Sequence, residues 1–190
     1  QEKFILTIPL IINKLINLSE KDKRPSIYKS HITDNLGAFL CPCDHIIDNI
    51  YLGSCLAAGD YDLLNKLNVA YICNISDTIP NFFENRNIQY FNIKKKDNGL
   101  EDLTKKELDN SYNFILNSQK KNKKVLVHCF VGRSRSASIL IYYLMHKYEL
   151  TVKESIIYLK NKRKWVNPSI KFINNIIDII ENMNRVTLSP

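Results

Sequence analysis

The stretch VLVHCFVGRSRSAS (125–138) begins as a buried β-strand and changes character at Cys129. Val125 to Val127 are apolar and of strand type. After the cysteine come Gly132, Arg133, Arg135 and three serines, then an uncharged run of helical length. A strand that only filled a core would not end in this way. At the carboxyl end of a strand in an α/β sheet, a short loop leading into a helix is where ligands bind. A loop centred on Gly132 can turn successive N–H groups inward as a nest for a tetrahedral anion, and the following helix adds its positive end. Phe130, Val131, Gly132, Arg133 and Ser134 are the expected phosphate-binding loop. Arg135 supplies a guanidinium fork matched to two phosphate oxygens. The same field should hold the Cys129 thiol well below the ~8.5 of a free cysteine. His128 is expected to brace the loop through its ring, and Ser136 to donate to the sulfur as it leaves. The loop is not GxxxxGK[ST], which uses no thiol. The pieces are those of covalent phosphoryl transfer: nucleophile, oxyanion cradle and charge clamp.

Outward from this loop the chain alternates between strand and helix signals. IIDNIYLG (46–53) reads as one strand, LAAGDYDLLNKLN (56–68) as one helix, and VAYICNI (69–75) and IQYFNI (88–93) as strands, with a helical turn at PNFFENR (80–86). TKKELDNSYNFILNSQ (104–119) opens with Thr104 and Glu107 at capping-box spacing, and TVKESIIYLKNKRK (151–164) repeats that start signal. SASILIYYLMHKY (136–148) is an apolar helix. NPSIKFINNIIDIIENM (167–183) is a last helix with Pro168 at an N1-like position. Such alternation predicts an α/β fold, with a central, largely parallel sheet of about five strands flanked by helices. Two parts are expected: an N-terminal helix and linker over 1–44, and a catalytic domain over 45–190. The amphipathic stretch FILTIPLIINKLINL (4–18) carries the helix. Because the chain begins at Gln1, it is expected to be part of a longer protein.

At 190 residues, with 45% apolar side chains and only 5 Gly and 6 Pro, the chain is globular rather than disordered. A domain of this size buries roughly 70% of its unfolded surface and needs no staple. The net charge of +8 favours anionic partners without choosing among them. No nucleic-acid signature accompanies it. The lysines are spread along the chain, which is the pattern of a solvated basic surface. No apolar run reaches the ~18 to 20 residues of a membrane span. Five cysteines, an odd number with one in the loop, point to reduced thiols in an intracellular compartment, cytoplasmic or nuclear. Cys41, Cys43 and His45 cluster in CPCDH, but a zinc site wants four ligands and no second pair follows, so no metal is expected.

HCFVGRSRS (128–136) matches the HCxxGxSRS form of the cysteine-dependent protein tyrosine phosphatases and most resembles their dual-specificity branch. IYLGSCLAAGDYDLLNKLNVAYICNIS, ending near Asn74, resembles that family's entry segment. IQYFNIKKKDN resembles the strand before its general-acid loop. RKWVNPS resembles the segment before its last helix, with Pro168-Ser169 where the family usually has Pro-Asn. The resemblance covers about residues 45–183. It implies no cofactor, phosphorylated proteins as substrates and, with no extra tyrosine-recognition loop, a shallow pocket open to phosphotyrosine and phosphoserine/threonine. It also places the general acid upstream of the cysteine, at Asp97, with Asp102 the competitor and Glu101 a more distant one. Phe130, Val131 and Arg133 would line the pocket, and Arg133 would favour acidic flanks or face solvent. Arg163 and Trp165 either approach the same pocket or form a basic helix end with an anchoring aromatic. Cys73, on a neighbouring strand, is a candidate disulfide partner for Cys129 after oxidation. The rival reading is an adaptor that binds phosphoproteins without turning them over. A second rival keeps the chemistry and changes the substrate to a phosphoinositide, phosphoglucan or RNA 5′-phosphate. Oligomeric state is not legible.

Overall fold

A computed structural model describes residues 37–96 and 102–187. The helix expected over 4–18, and Asp97 and Glu101, lie outside the described residues. Five strands form one sheet: β1 (Cys43–Ile47), β2 (Ile50–Gly53), β3 (Val69–Asn74), β4 (Gln89–Asn92) and β5 (Lys124–His128). Their order across the sheet is β1-β2-β5-β3-β4. The β2–β5, β5–β3 and β3–β4 pairs are parallel, and only the edge strand β1 runs antiparallel to its neighbour. The expected α/β architecture with a largely parallel five-stranded sheet is what the chain adopts.

Period-2 alternation divides the sheet into two faces. Ile50, Leu52, Tyr71, Cys73, Val125 and Val127 point into one large core. Ile72 and Leu126 point into a smaller one on the opposite face. The small core is closed by α1 (Cys55–Gly59) and α2 (Tyr61–Leu67), together with Phe83. The large core is closed by α3 (Lys105–Lys120), α4 (Arg135–Tyr148), α5 (Val152–Lys162) and α6 (Ile170–Thr187). Every residue of α4 from Arg135 to Leu144 is buried, because no charge interrupts Ser136–Met145 and the helix can be wrapped on all sides. Its aromatic tips find partners at the rim. Tyr142 Oη donates to Asp109 (2.6 Å) and Tyr143 Oη to Gln119 (3.0 Å).

Three expectations are corrected. IIDNIYLG is a hairpin rather than one strand, because Asp48 takes φ 48° and turns the chain between β1 and β2. The helix expected over 56–68 breaks at Asp60, which leaves α1 and caps α2 by accepting the Leu63 N–H (2.9 Å). Pro168 is not at N1. Ser169 behind it accepts the Phe172 N–H (3.3 Å), and α6 starts at Ile170. In addition, β1 begins at Cys43, ahead of the expected boundary between 44 and 45. A helical turn over 37–40 buries Ala38 and Phe39, so this part of the expected linker is packed against the domain.

Both capping boxes form. Thr104 and Glu107 close the start of α3, and Thr151 and Glu154 the start of α5. Thr151→Ala should lower the unfolding free energy by about 1 kcal/mol. Urea denaturation would show this as a lower midpoint with unchanged slope, and Thr151→Ser should recover most of it.

Candidate active site

The parallel register sets the site. Gly53 pairs with His128 on one side of β5 and Asn74 on the other, so three strands end at one level. The chain then leaves β5 through Cys129 and curls into α4. Gly132 has φ +76°, and a Cβ there would also overlap the Gly53 carbonyl, so glycine is required twice over.

The backbone carbonyls of this loop all turn outward. Cys129 O accepts from His128 Nδ1 (3.2 Å) and Phe130 O from the Cys55 N–H (3.0 Å). Arg163 donates to Val131 O from Nη2 (3.2 Å) and to Gly132 O from Nε (3.0 Å). Arg133 O takes the Asn167 N–H (3.0 Å), and Ser134 O takes the Ser138 N–H (2.8 Å) and hydroxyl (3.0 Å). In a planar trans peptide the C=O and N–H point in opposite directions. Carbonyls fixed outward therefore turn the amides into the loop. One of them is seen doing so: Gly132 N–H donates to Cys129 Sγ (3.2 Å). The start of α4 points the same way. Its N-cap, Ser134, makes no side-chain cap bond and instead accepts the Ser169 N–H (3.0 Å), so the first-turn amides stay available to an anion.

Cys129 is 3% exposed and Arg135 2%. Burial alone would push the thiol up. The Arg135 charge, the Ser136 hydroxyl and N–H and the Gly132 N–H outweigh it and hold the thiol below its ordinary value. Ser136 Oγ donates to the sulfur at 3.3 Å. Arg135 also donates from Nη1 to Lys95 O (2.9 Å), which fixes the chain two residues before Asp97. His128 Nδ1 lies 3.2 Å from the Cys129 carbonyl. Burial first, and then the Arg135 charge, push its ring down to about 4, so it is neutral and gives its Nδ1 proton to the Cys129 carbonyl.

Phe130 and Val131 lend their backbone to the loop while their side chains pack beside Phe39, Cys55 and Ile79, with the Phe130 and Phe39 rings tilted at 30° and 5.4 Å apart. Arg133 lines a cavity of about 310 Å³ with Lys160, Lys164, Trp165, Val166 and Asn167. Asp102 forms an ion pair with Lys171 of α6 (3.4 Å). Arg163 does not enter the pocket and meets the loop from behind. Cys73 pairs in register with Val127 and is held protonated by burial. The cysteine that feels the Cys129 charge is Cys55, whose thiol burial and that charge raise to about 12. Its position was readable from the Gly53–His128 level once β2 and β5 are known to be neighbours. All five cysteines are free, and among the described residues no three His, Cys, Asp or Glu side chains converge as metal ligands would.

The sequence profile of the dual specificity phosphatase catalytic domain matches residues 50–182. The chain belongs to the dual-specificity phosphatase family. Protein phosphatase Slingshot of Drosophila melanogaster is 31% identical over 171 residues, 85% of this chain and 16% of that protein. Human dual specificity protein phosphatase 9 is 33% identical over 134 residues, 70% of this chain and 35% of that protein. The chain thus spans well under half of these two relatives. Human DUSP28 superimposes with a TM-score of 0.69 at 24% identity, over 75% of this chain and 95% of that one. The matched region takes in the cysteine loop, the parallel strands β2 to β5 and most of the helices over the large core.

Gly132→Ala should cost more than about 1 kcal/mol, from the positive φ alone, and abolish binding of inorganic phosphate. Thermal melts with and without phosphate check both parts: the variant should melt lower and gain nothing from the anion.

Proposed function

We propose that this chain hydrolyses phosphotyrosine and phosphoserine/threonine on proteins through a phosphocysteine intermediate, with no metal or cofactor in the reaction. The single observation that carries this is a buried cysteine held below its ordinary pKa, with the Gly132 N–H and the Ser136 hydroxyl donating to its sulfur and Arg135 beside it. In the first step the Cys129 thiolate attacks phosphorus in line and the bond to the substrate oxygen breaks. The loop amides and Arg135 hold the equatorial oxygens. Asp97 gives its proton to the departing oxygen. Water then attacks the phosphocysteine with Asp97 as base, inorganic phosphate leaves, and Ser136 steadies the returning thiolate. Support for Asp97 is its place in the resembling segment, two residues past the Lys95 carbonyl that Arg135 holds. A tyrosyl leaving group has a pKa of ~10 and a seryl one lies closer to water at ~15.7, so the serine reaction leans more on this acid. The adaptor reading gains nothing from a loop that keeps both nucleophile and arginine. Free cysteines fit a reducing, intracellular compartment, and among the described residues no helix is long and apolar enough to cross a membrane.

Hydrolysis of an aryl phosphate should vanish in Cys129→Ser and be indifferent to chelator. Asp97→Asn should cut kcat roughly 10²- to 10⁴-fold. Activity rises as Cys129 ionises and falls as Asp97 loses its proton, so the pH profile should be a bell with its maximum on the acidic side of neutral. A maximum above about pH 8 would sink the acid assignment. No turnover in folded, reduced wild type would favour the adaptor.

Arg133, Lys160 and Lys164 around one cavity support a preference for acidic residues beside the phosphate. In synthetic phosphopeptides, a neighbouring Glu in place of Ala should lower KM several-fold at low salt, and added salt should erase the difference. Lys164→Glu should reverse it, whereas equal KM values at low salt would refute the preference.

A further inference from the structure

Arg163 belongs to none of the catalytic roles above, yet among the described residues it is the largest fully buried side chain, 1% exposed. Its fork reaches in two directions. Toward the loop, Nη2 and Nε hold the Val131 and Gly132 carbonyls. Away from it, Nη1 meets Asp44 Oδ2 (2.7 Å), Nη2 meets Ala38 O (2.6 Å), and both reach Cys41 O (3.3 Å). Lysine could not make this set, because it lacks the planar array of donors.

The peptide unit joining Val131 to Gly132 has the Arg163 guanidinium at its oxygen and the Cys129 sulfur at its N–H. The next unit, Gly132 to Arg133, has the same guanidinium at its oxygen, and planarity sends its N–H into the cradle. A cation at the carbonyl end of an amide polarises it and strengthens its N–H as a donor. We propose that Arg163 is a positioning residue of the phosphatase loop: clamped by the Ala38–Asp44 segment, it fixes and polarises two cradle amides from behind. The segment ahead of the matched 50–182 region is then a working part of the catalytic unit. The kinetic consequence rests on the phosphatase reading, but the consequence for the sulfur does not.

Among the described residues, the charged and titratable groups around Cys129 are Arg135 from α4, His128 from β5, Cys55 from α1, Cys73 from β3 and Arg133 in the loop. His128 is already neutral above about 4, and burial keeps Cys55 and Cys73 protonated.

The test is the pH midpoint of Cys129 alkylation by iodoacetamide, read without substrate, in wild type, Arg163→Lys and the core control Ile115→Val. Arg163→Lys should raise the midpoint by about one pH unit, a roughly tenfold loss of thiolate at acidic pH. It should also lower kcat for an aryl phosphate more than it raises KM. Ile115→Val should lower the melting temperature and leave the midpoint alone. An Arg163→Lys protein that melts lower but keeps the wild-type midpoint would make Arg163 a purely structural residue and overturn the proposal. Should Arg163→Lys fail to fold, Asp44→Asn reads the same coupling. Removing a negative charge would by itself lower the midpoint, so an upward shift comes through the released fork, and a downward or absent shift overturns the proposal. A protein with no phosphatase turnover at all would still give an alkylation midpoint, so failure of the function and failure of the clamp are distinguishable.

Discussion

A peptide unit cannot turn its N–H one way without turning its C=O the other, and the whole domain is arranged around that constraint. To aim amides at an anion, the loop from Cys129 to Ser134 must send its carbonyls outward into protein, where each one left unpaired would cost about 1–3 kcal/mol. Several such losses would exceed the ~5–15 kcal/mol that keeps a domain folded. The donors come from most of the chain: the His128 ring, the Cys55 N–H at the start of α1, Arg163 at the end of α5, the Asn167 N–H before α6, and Ser138 within α4. The elements that cover the sheet thus also set the orientation of the cradle.

The second consequence is electrostatic. A thiolate 3% exposed would be untenable in an apolar core, and the burial of Cys129 alone acts against ionisation. Two arginines answer this from opposite sides. Arg135 stands beside the sulfur, and Arg163 lies behind the amides that face it. Neither side is left with an uncompensated charge, because Arg163 is balanced by Asp44 at its far end. Donors fixed before the substrate arrives need no reorganisation during the reaction, which is where such sites gain most over water.

The cradle was legible in the sequence because its requirements are local. A cysteine after a strand, a glycine at a positive φ, an arginine and serines opening a helix are all within one run of residues. The sheet was legible because short apolar runs with turn residues between them leave few alternatives. What was missed depends on distance or on single turns. Asp48 and Asn49 sit inside an apolar run whose pattern is that of one strand, although a two-residue turn at that point makes a hairpin. Arg163 is embedded in NKRKWVN, where its basic neighbours are chemically similar in sequence. Only the fold separates a side chain 1% exposed from Lys160 and Lys164 around a basic cavity. CPCDH drew attention for its sulfurs and histidine, yet its working residue is Asp44. Strand adjacency points to Cys73, while the charge on Cys129 falls on Cys55, brought close by the pairing of β2 with β5.

The position of β5 explains why this chemistry belongs at the end of a central strand. With β2 and β3 parallel to it on either side, the chain leaves all three strands at the same level. The Gly53–Cys55 turn walls one flank of the loop, and Ile75, whose N–H binds His128 O (2.9 Å), fixes the other. An edge strand would have offered one wall and left part of the loop's outer carbonyls to water, where they could rotate. Water can satisfy a carbonyl, but it cannot fix the direction of the amide on the other side of the peptide. A central parallel strand therefore gives the loop rigidity as well as hydrogen bonds, and that rigidity is what a pre-set anion cradle requires.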